Sequence, residues 1–197
     1  MNMPTNWHVQ SIRAGAFIAL GCILYLLAPN PIVGAILFSL GLLSVRLTQS
    51  YLYTGQVHQL VEGDRKWWQM PWIWAGNLVG VALVLACIPL LGGTIDLLSD
   101  ASLVGMEKLN MPYMELWVRS IFCGALMTMA TRKDTPLWIT SGCVVAFILS
   151  GFNHCIADAF YFWSSGESIW VWLPALLIIT AGNTIGGLLP VLGIPRK

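Results

Sequence analysis

The side chains best suited to chemistry lie in one short polar segment, residues 151–158 (GFNHCIAD), between two apolar runs. Neither run, 136–150 or 156–163, has the roughly 20 helical residues that are needed to cross a bilayer. At membrane depth such an interruption is tolerated only where it packs in protein or lines a water-filled path. His154 is therefore the first candidate for a functional residue, because an imidazole with an unperturbed pKa of about 6.5 can donate a proton or a hydrogen bond to a solute. The alternative is a structural histidine that bonds to the backbone at a helix break.

The composition indicates an integral membrane protein. The chain of 197 residues is 57% hydrophobic and only 10% charged, whereas soluble domains are about 25% charged. A net charge of +1 argues against a nucleic-acid partner. The five cysteines lie in apolar stretches without metal-ligand spacing, and no nucleophile–base set is evident. We therefore expect no metal, no other cofactor and no enzyme activity.

Hydropathy predicts six membrane crossings, so the fold class is an all-α membrane protein. The crossings fall at about 14–28, 32–61, 67–91, 112–131, 136–163 and 169–192. The second crossing is broken by the polar segment 48–56 (TQSYLYTGQ), as the fifth is broken at 151–158. A polar loop is expected at 92–111, and it contains Lys108.

An internal repeat relates the two halves of this single transmembrane domain, residues 1–94 and 95–197. Residues 75–80 (AGNLVG) in the third crossing resemble residues 181–186 (AGNTIG) in the sixth. Each half therefore consists of a whole, a broken and a whole helix, and an odd number of crossings gives the halves opposite orientations. Inverted repeats with paired broken helices place a solute path between the breaks near the midplane. The Gly-Asn pairs are expected to permit close helix packing.

The distribution of cationic residues predicts the orientation. Arg13, the pair 65–66, the pair 132–133 and the pair 196–197 fall at ends that six crossings place on one side, and the opposite loops hold only Lys108. Short cytoplasmic loops carry the excess of Lys and Arg. We therefore expect a multi-pass protein of the cell (inner) membrane with both termini in the cytoplasm.

Several segments, in order and at compatible spacing, resemble motifs of one family. They are 38–42 (FSLGL), 52–55 (LYTG), 76–80 (GNLVG), 119–123 (RSIFC), 152–157 (FNHCIA) and 182–186 (GNTIG). On these residues the chain resembles the formate/nitrite transporter family over nearly its whole length. The resemblance implies an aquaporin-like fold, one pore per protomer, a homopentamer in the lipid bilayer, and a small monovalent weak-acid anion as the permeant. Formate and nitrite are the first candidates, with hydrosulfide and lactate as further possibilities.

The resemblance also implies roles for individual residues. Thr54 and His154 would face each other in a central chamber, with Asn153 beside the histidine, and Lys108 would lie in a vestibule. The hydrophobic constrictions would be formed by Phe38, Leu42, Tyr53, Met127 and Phe147. Each has an alternative interpretation: Thr54 as a helix cap, Lys108 as an ordinary loop lysine, and the constriction residues as plain helix packing.

The chemistry of the expected permeant explains these roles. Burying an isolated anion between apolar constrictions is very costly, and protonation removes most of that cost. Lys108 would raise the local anion concentration. The pKa of the anion itself rises in a low dielectric, and His154 would donate the proton or a hydrogen bond while Thr54 holds the imidazole or the solute.

Three residues depart from the family pattern. Asn153 replaces a usual Glu, Asp158 replaces a usual Asn, and Gly124 replaces a usual Asn. These changes leave two other functions open. One is a pore of the same fold for a small neutral polar solute, and the other is a membrane assembly or sensor protein with a closed pore.

Arg46 and Asp158 are charges on the two broken crossings, where an unpaired charge usually finds a partner or a wet cavity. We expect them to pair with each other, or each to pair with Glu115 or Arg119 on the fourth crossing. An unpaired Arg46 in the pore would instead be an anion-binding site.

Overall fold

The computed structural model describes residues 6–91 and 97–193, and within these ranges it contains helices and no strand. The helices are α1 (Trp7–Leu26), α2 (Pro31–Leu47), α3 (Tyr53–Gln56), α4 (Gln59–Glu62), α5 (Met70–Cys87), α6 (Leu97–Leu109), α7 (Tyr113–Thr131), α8 (Leu137–Leu149), α9 (Cys155–Ser164) and α10 (Ile169–Leu188). Short 3-10 turns at Trp67–Gln69, Ile88–Leu91 and Leu189–Val191 adjoin α5 and α10. The expected all-α class is confirmed.

Three of the helical stretches are long and apolar enough to cross a membrane. They are Trp7–Leu26, Trp67–Leu91 and Ile169–Val191. Two shorter apolar helices, Pro31–Leu47 and Leu137–Leu149, precede the two predicted breaks. Each is shorter than the roughly 20 residues that a full crossing requires.

The segment 92–111 is not the polar loop that we expected, because residues 97–109 form α6. Leu97, Ala101 and Gly105 recur at four-residue intervals and form one buried stripe. This spacing is typical of a helix, but the charged residues around these positions concealed it in the sequence. This stripe packs on α9 so closely that a side chain at Gly105 would overlap the carbonyl oxygen of Tyr161. Lys108 therefore lies in the last turn of a helix. Residues 92–96 and the cationic pair 196–197 lie outside the described residues.

Both predicted breaks are present. The chain between α2 and α3 is non-helical, as is the chain between α8 and α9. Gln49 follows α2 with a φ of 52°, and Gly151 follows α8 with a φ of 65°. This left-handed conformation ends a helix, and it is one that glycine adopts without strain.

One buried asparagine of α5 holds the first break in place. The Asn77 side-chain amide donates to the carbonyl oxygens of Ser11, at 2.7 Å, and Tyr51, at 2.8 Å. Its Oδ1 accepts a hydrogen bond from the main-chain N–H of Tyr53 at 2.8 Å. The side chain thus ties the first break to both α1 and α5.

Asn183 of α10 makes the same set of bonds at the second break. Its amide donates to the carbonyl oxygens of Ser120 and Asn153, both at 2.8 Å. Its Oδ1 accepts from the main-chain N–H of Cys155 at 2.8 Å. In both breaks an asparagine therefore satisfies buried backbone groups for which no water would be available.

The glycines beside these asparagines permit close helix packing, as expected. A side chain at Gly80 of α5 would overlap the Ile12 carbonyl oxygen on α1, and one at Gly186 of α10 would overlap the Ile121 carbonyl oxygen on α7. Gly124, which departs from the family pattern, lies against the carbonyl oxygen of Asn183. Only a residue without a side chain fits at that contact.

We expect Asn183→Ala to destabilise the protein by several kcal/mol, because each buried backbone group left unpaired costs about 1–3 kcal/mol. Thermal unfolding of the detergent-solubilised protein measures the loss. Thr180→Val on the same helix is the matched control, because the Thr180 hydroxyl donates to the Leu176 carbonyl one turn earlier and its loss leaves no backbone group of the break unpaired. Equal stability of the two variants would contradict the role of Asn183.

Candidate functional site

Thr54 and His154 meet where the two breaks face each other. The Thr54 Oγ1 and the His154 Nε2 are 2.8 Å apart, although the residues are 100 positions apart in the sequence. Both residues are buried, with exposed fractions of 1% and 2%. The expected juxtaposition of these two side chains is therefore present, between short helices α3 and α9.

The hydrogen bonds of His154 determine which ring nitrogen carries the proton. His154 is the N-cap of α9, and its Nδ1 accepts from the main-chain N–H of Ala157 at 3.1 Å. Because a main-chain N–H can only donate, Nδ1 is unprotonated and the proton of the neutral imidazole is on Nε2. His154 Nε2–H therefore donates to Thr54 Oγ1.

The Thr54 hydroxyl is an acceptor in this arrangement, and the bond to His154 does not use its proton. Its oxygen accepts from His154, and no acceptor for its proton is found among the described residues. Thr54 does not cap α3, since Leu52 is the N-cap and makes no side-chain capping bond. The alternative interpretation of Thr54 as a helix cap is thus wrong, whereas His154 combines a capping bond with the bond to Thr54.

Two of the five predicted constriction residues lie beside the histidine. The Phe147 ring is stacked on the His154 ring with centroids 5.7 Å apart, and Phe38 meets Phe147 edge-on at 5.9 Å. Tyr53 is buried, and its hydroxyl bonds to Thr184 Oγ1 at 2.8 Å. Leu42 and Met127 are buried in the apolar core and line neither of the two cavities described below.

A cavity of about 230 Å³ reaches His154 from one side, and we call it the lysine cavity. Its walls include Phe38, Lys108, Arg119, Phe147, His154 and Asp158. This volume exceeds the share of several water molecules, each about 30 Å³. A small solute therefore has room beside the two phenylalanines and the histidine.

Lys108 is paired within this cavity. Its Nζ lies 2.9 Å from Asp158 Oδ1, and the exposed fractions of the two side chains are 15% and 2%. Asp158 Oδ2 accepts from the Asn153 side-chain amide at 2.8 Å, and Asn153 Oδ1 is buried without a protein partner among the described residues. Two of the residues that depart from the family pattern, Asn153 and Asp158, thus form one group with Lys108 next to the histidine.

The predicted pair of Arg46 and Asp158 is wrong. Arg46 instead donates to the carbonyl oxygens of Thr135, at 2.8 Å, and Arg132, at 3.1 Å, and to the hydroxyl of Thr140. Carbonyl oxygens at the end of a helix carry partial negative charge, so a guanidinium is stabilised there without a carboxylate. Arg46 therefore ties α2 to the connection between α7 and α8.

Glu115 and Arg119 pair with each other rather than with Arg46 or Asp158. The Arg119 guanidinium lies 2.6 Å from Glu115 Oε1 one helical turn earlier. It also donates to the Gly151 carbonyl oxygen at 3.1 Å. Arg119 thus holds the turn that precedes His154.

A larger cavity of about 590 Å³, which we call the arginine cavity, adjoins the first break. Its walls include Arg46, Tyr51, Leu52, Gly55, Gln56 and Arg65. Because Leu52 and Gly55 flank the Tyr53–Thr54 pair, the bond between Thr54 and His154 lies between the two cavities. From the sequence, Arg65 contributed only to the predicted orientation, and the neighbouring polar segment 48–56 was the one signal that could have linked it to the expected solute path.

The described residues contain no group of three or more His, Cys, Asp or Glu side chains that could hold a metal ion. The polar groups that converge around His154 are a hydroxyl, an imidazole, an amide and one ion pair. These groups can bind and orient a small solute by hydrogen bonding.

Comparison with known proteins decides the family. The family model described as formate/nitrite transporter matches residues 2–195. The chain belongs to the formate/nitrite transporter family. It is therefore a membrane transport protein rather than an enzyme, and the resemblance seen in its motifs is confirmed.

The relatives of this transporter include curated nitrite transporters. It is 32% identical to the nitrite transporter NirC of Escherichia coli, over 94% of this chain and 81% of NirC. It is 31% identical to NirC of Salmonella typhimurium, over 94% of this chain and 80% of that protein.

Solved structures share its fold. A structure described as an FNT family ion channel matches with a TM-score of 0.80 at 27% identity, covering 95% of this chain and 88% of the other. A pentameric formate channel with formate bound matches with a TM-score of 0.77 at 23% identity, covering 94% and 93%.

Proposed function

We propose that this transporter conducts a small monovalent weak-acid anion, with nitrite and formate as the first candidates. The observation that carries the proposal is the bond between Thr54 and His154, which lies between two cavities and leaves a hydroxyl proton for a solute oxygen. The names of the relatives, nitrite transporters and a formate channel, agree with this class of solute.

The proposed architecture is a six-span inverted repeat with an aquaporin-like fold. The two halves, residues 1–94 and 95–197, form one channel domain. The matching bonds of Asn77 and Asn183 support this, as do the matching contacts of Gly80 and Gly186. A homopentamer is supported by the pentameric assembly of a structural neighbour.

The proposed location is the cell (inner) membrane, with both termini in the cytoplasm. The clustering of Lys and Arg at alternate ends of the crossings supports this orientation. In this orientation the arginine cavity opens to the cytoplasm and the lysine cavity to the opposite side.

In the proposed mechanism Thr54 and His154 act together as a hydrogen-bond donor. His154 Nε2–H polarises the Thr54 hydroxyl, which then donates to an oxygen of the solute. If His154 lost its Nε2 proton, Nδ1 would have to take one up, but the Ala157 N–H occupies that position. The anion therefore takes its proton from the aqueous solution, as hydronium, before it passes the histidine. Of the two expected roles of His154, proton donor or hydrogen-bond donor, the proposed mechanism uses the second.

The apolar surroundings make neutralisation necessary. Phe147 stacks on the histidine and Phe38 packs against Phe147, and an anion beside such groups would lose its hydration without compensation. In a low dielectric the pKa of the solute rises, so it crosses this region as the neutral acid. Leu42, Tyr53 and Met127 are proposed to complete the constrictions.

The pairing of Lys108 with Asp158 favours a second candidate function. Asp158 offsets the charge of Lys108. The lysine cavity therefore attracts anions less strongly than it would if Lys108 were unpaired. A pore for a small neutral polar solute is the alternative that this observation supports.

Flux into proteoliposomes, measured with nitrite, formate and urea over a series of pH values, separates these functions. We expect nitrite and formate uptake to rise as pH falls, because at pH values above the pKa of a weak acid its neutral fraction grows about tenfold for each unit by which the pH falls. Vesicles without protein give the background. Equal passage of urea and formate at every pH would instead support the neutral-solute pore, and no flux at all would support a closed assembly or sensor.

A further inference from the structure

The two cavities differ in the balance of their charges. The lysine cavity contains two cationic side chains, Lys108 and Arg119, and two anionic ones, Glu107 and Asp158. Both cations are already in ion pairs, Lys108 with Asp158 and Arg119 with Glu115. The positive charge of Lys108 is therefore largely offset, and the lysine cavity attracts an anion only weakly.

The arginine cavity has an excess of positive charge. Its walls carry Arg46, Arg65 and Lys133 against a single carboxylate, Asp64. The carboxylate pairs with Lys133 at 3.2 Å, and the ion pairs of the described residues include neither Arg46 nor Arg65. A cleft lined by one sign of charge raises the local concentration of the opposite ion.

Arg65 is held in one orientation within this cavity. Its Nε donates to Gln56 Oε1 at 2.6 Å, and its guanidinium carbon lies 4.0 Å from the centre of the Tyr51 ring. These contacts use the Nε and one face of the guanidinium. The two terminal nitrogens make no hydrogen bond to the described residues, so they remain available as a planar pair of donors.

A planar pair of donors fits a planar anion with two oxygens. Two parallel N–H···O bonds give a guanidinium both affinity and geometric selectivity for such a group. Fixing the guanidinium in advance also reduces the entropy lost when the anion binds. Arg46, whose guanidinium is bound to carbonyl oxygens and a hydroxyl, contributes charge to the same cavity.

We propose that Arg65 is the anion-recognition residue of this transporter and that the arginine cavity binds a planar two-oxygen anion, such as nitrite or formate, ahead of Thr54. The inference rests on the proposed function and adds to it the place where the anion is first bound. The face on which this transporter has the higher affinity for its anion is thus the one with the first break, not the one with Lys108.

The test is nitrite flux in vesicles of determined protein orientation, with sodium nitrite presented to one face at a time. For Arg65→Gln we expect the half-saturating nitrite concentration at the arginine-cavity face to rise by about threefold to tenfold. Lys66→Gln is the matched control, because it removes the same charge at an exposed neighbouring residue that does not line the cavity. Arg65→Lys keeps the charge but loses the planar donors, so an intermediate value is expected.

Unfolding is excluded by requiring that each variant retains the oligomeric state and thermal stability of the unmodified transporter. If Arg65→Gln fails this requirement, the unmodified transporter is tested by raising ionic strength, which should weaken nitrite entry from the arginine-cavity face more than from the other. Equal salt sensitivity at the two faces, an unchanged half-saturating concentration in Arg65→Gln, or an equal change in Lys66→Gln would overturn the inference.

A binding measurement distinguishes failure of this inference from failure of the proposed function. If the unmodified transporter conducts neither nitrite nor formate, conduction is refuted but nitrite should still raise its thermal stability, and Arg65→Gln should abolish that increase. If flux is normal and the increase is absent or survives in Arg65→Gln, the anion site is refuted while the proposed function stands.

Discussion

Thr54→Val is expected to lower nitrite flux by about 10-fold to 100-fold, because the passing solute loses the hydroxyl that is proposed to donate to it, and a buried polar group without a partner costs about 1–3 kcal/mol. Valine has nearly the shape of threonine, so packing is kept while the hydroxyl is lost. The measurement is the initial rate of nitrite uptake into proteoliposomes.

Thr180→Val serves as the control for this prediction. It makes the same chemical change on α10 at a hydroxyl that donates to the Leu176 carbonyl of its own helix and makes no bond to Thr54 or His154, so its flux should remain within about twofold of the unmodified transporter. Equal flux through the two variants would show that the Thr54 hydroxyl takes no part in conduction. The proposed donor role of the Thr54–His154 pair would then be wrong.

The second large effect is expected for Asp158→Asn, which removes one charge of a buried ion pair. Lys108 would remain as a largely buried cation without its counter-ion, and breaking such a pair costs about 3 kcal/mol or more. The loss appears as a lower free energy of unfolding or a lower thermal midpoint of the purified transporter.

Two further variants test this explanation. Glu115→Gln breaks the Arg119 pair, in which Glu115 is 42% exposed, and should cost at most about 1 kcal/mol because solvent screens such pairs. The double variant Lys108→Gln/Asp158→Asn removes both charges and should recover much of the stability lost in Asp158→Asn. If the double variant is no more stable than Asp158→Asn, the loss does not come from an unpaired lysine.

The parts of the fold that the sequence predicted are those with a local signal. A polar interruption in an apolar run is visible without knowing any contact, and both breaks and His154 were located from it. The Gly-Asn pairs were also recognised, because a small residue beside an amide within a membrane helix indicates close packing. Here the asparagines proved to do more than expected, since Asn77 and Asn183 bind the backbone at both breaks.

Helix α6 and the partners of the charges were not predicted correctly. In α6 the buried positions recur at every fourth residue, and the charges at Asp100, Glu107 and Lys108 made the segment look like a loop. Arg46 donates to carbonyl oxygens in the connection that follows α7 rather than to a carboxylate. A local pattern indicates that a buried charge needs a partner. It does not reveal which backbone carbonyl groups lie within hydrogen-bonding distance, and these compete with carboxylates for the charge.

The sequence by itself determined where this transporter departs from regular helix, which side chain has acid–base chemistry there, and to which family the chain is similar. Only the tertiary structure decided that Thr54 accepts from His154, that Lys108 pairs with Asp158 and that Arg65 faces a cavity. The physical reason is that hydrogen bonds and ion pairs depend on distances of about 3 Å. Helix packing sets those distances between residues far apart in the chain.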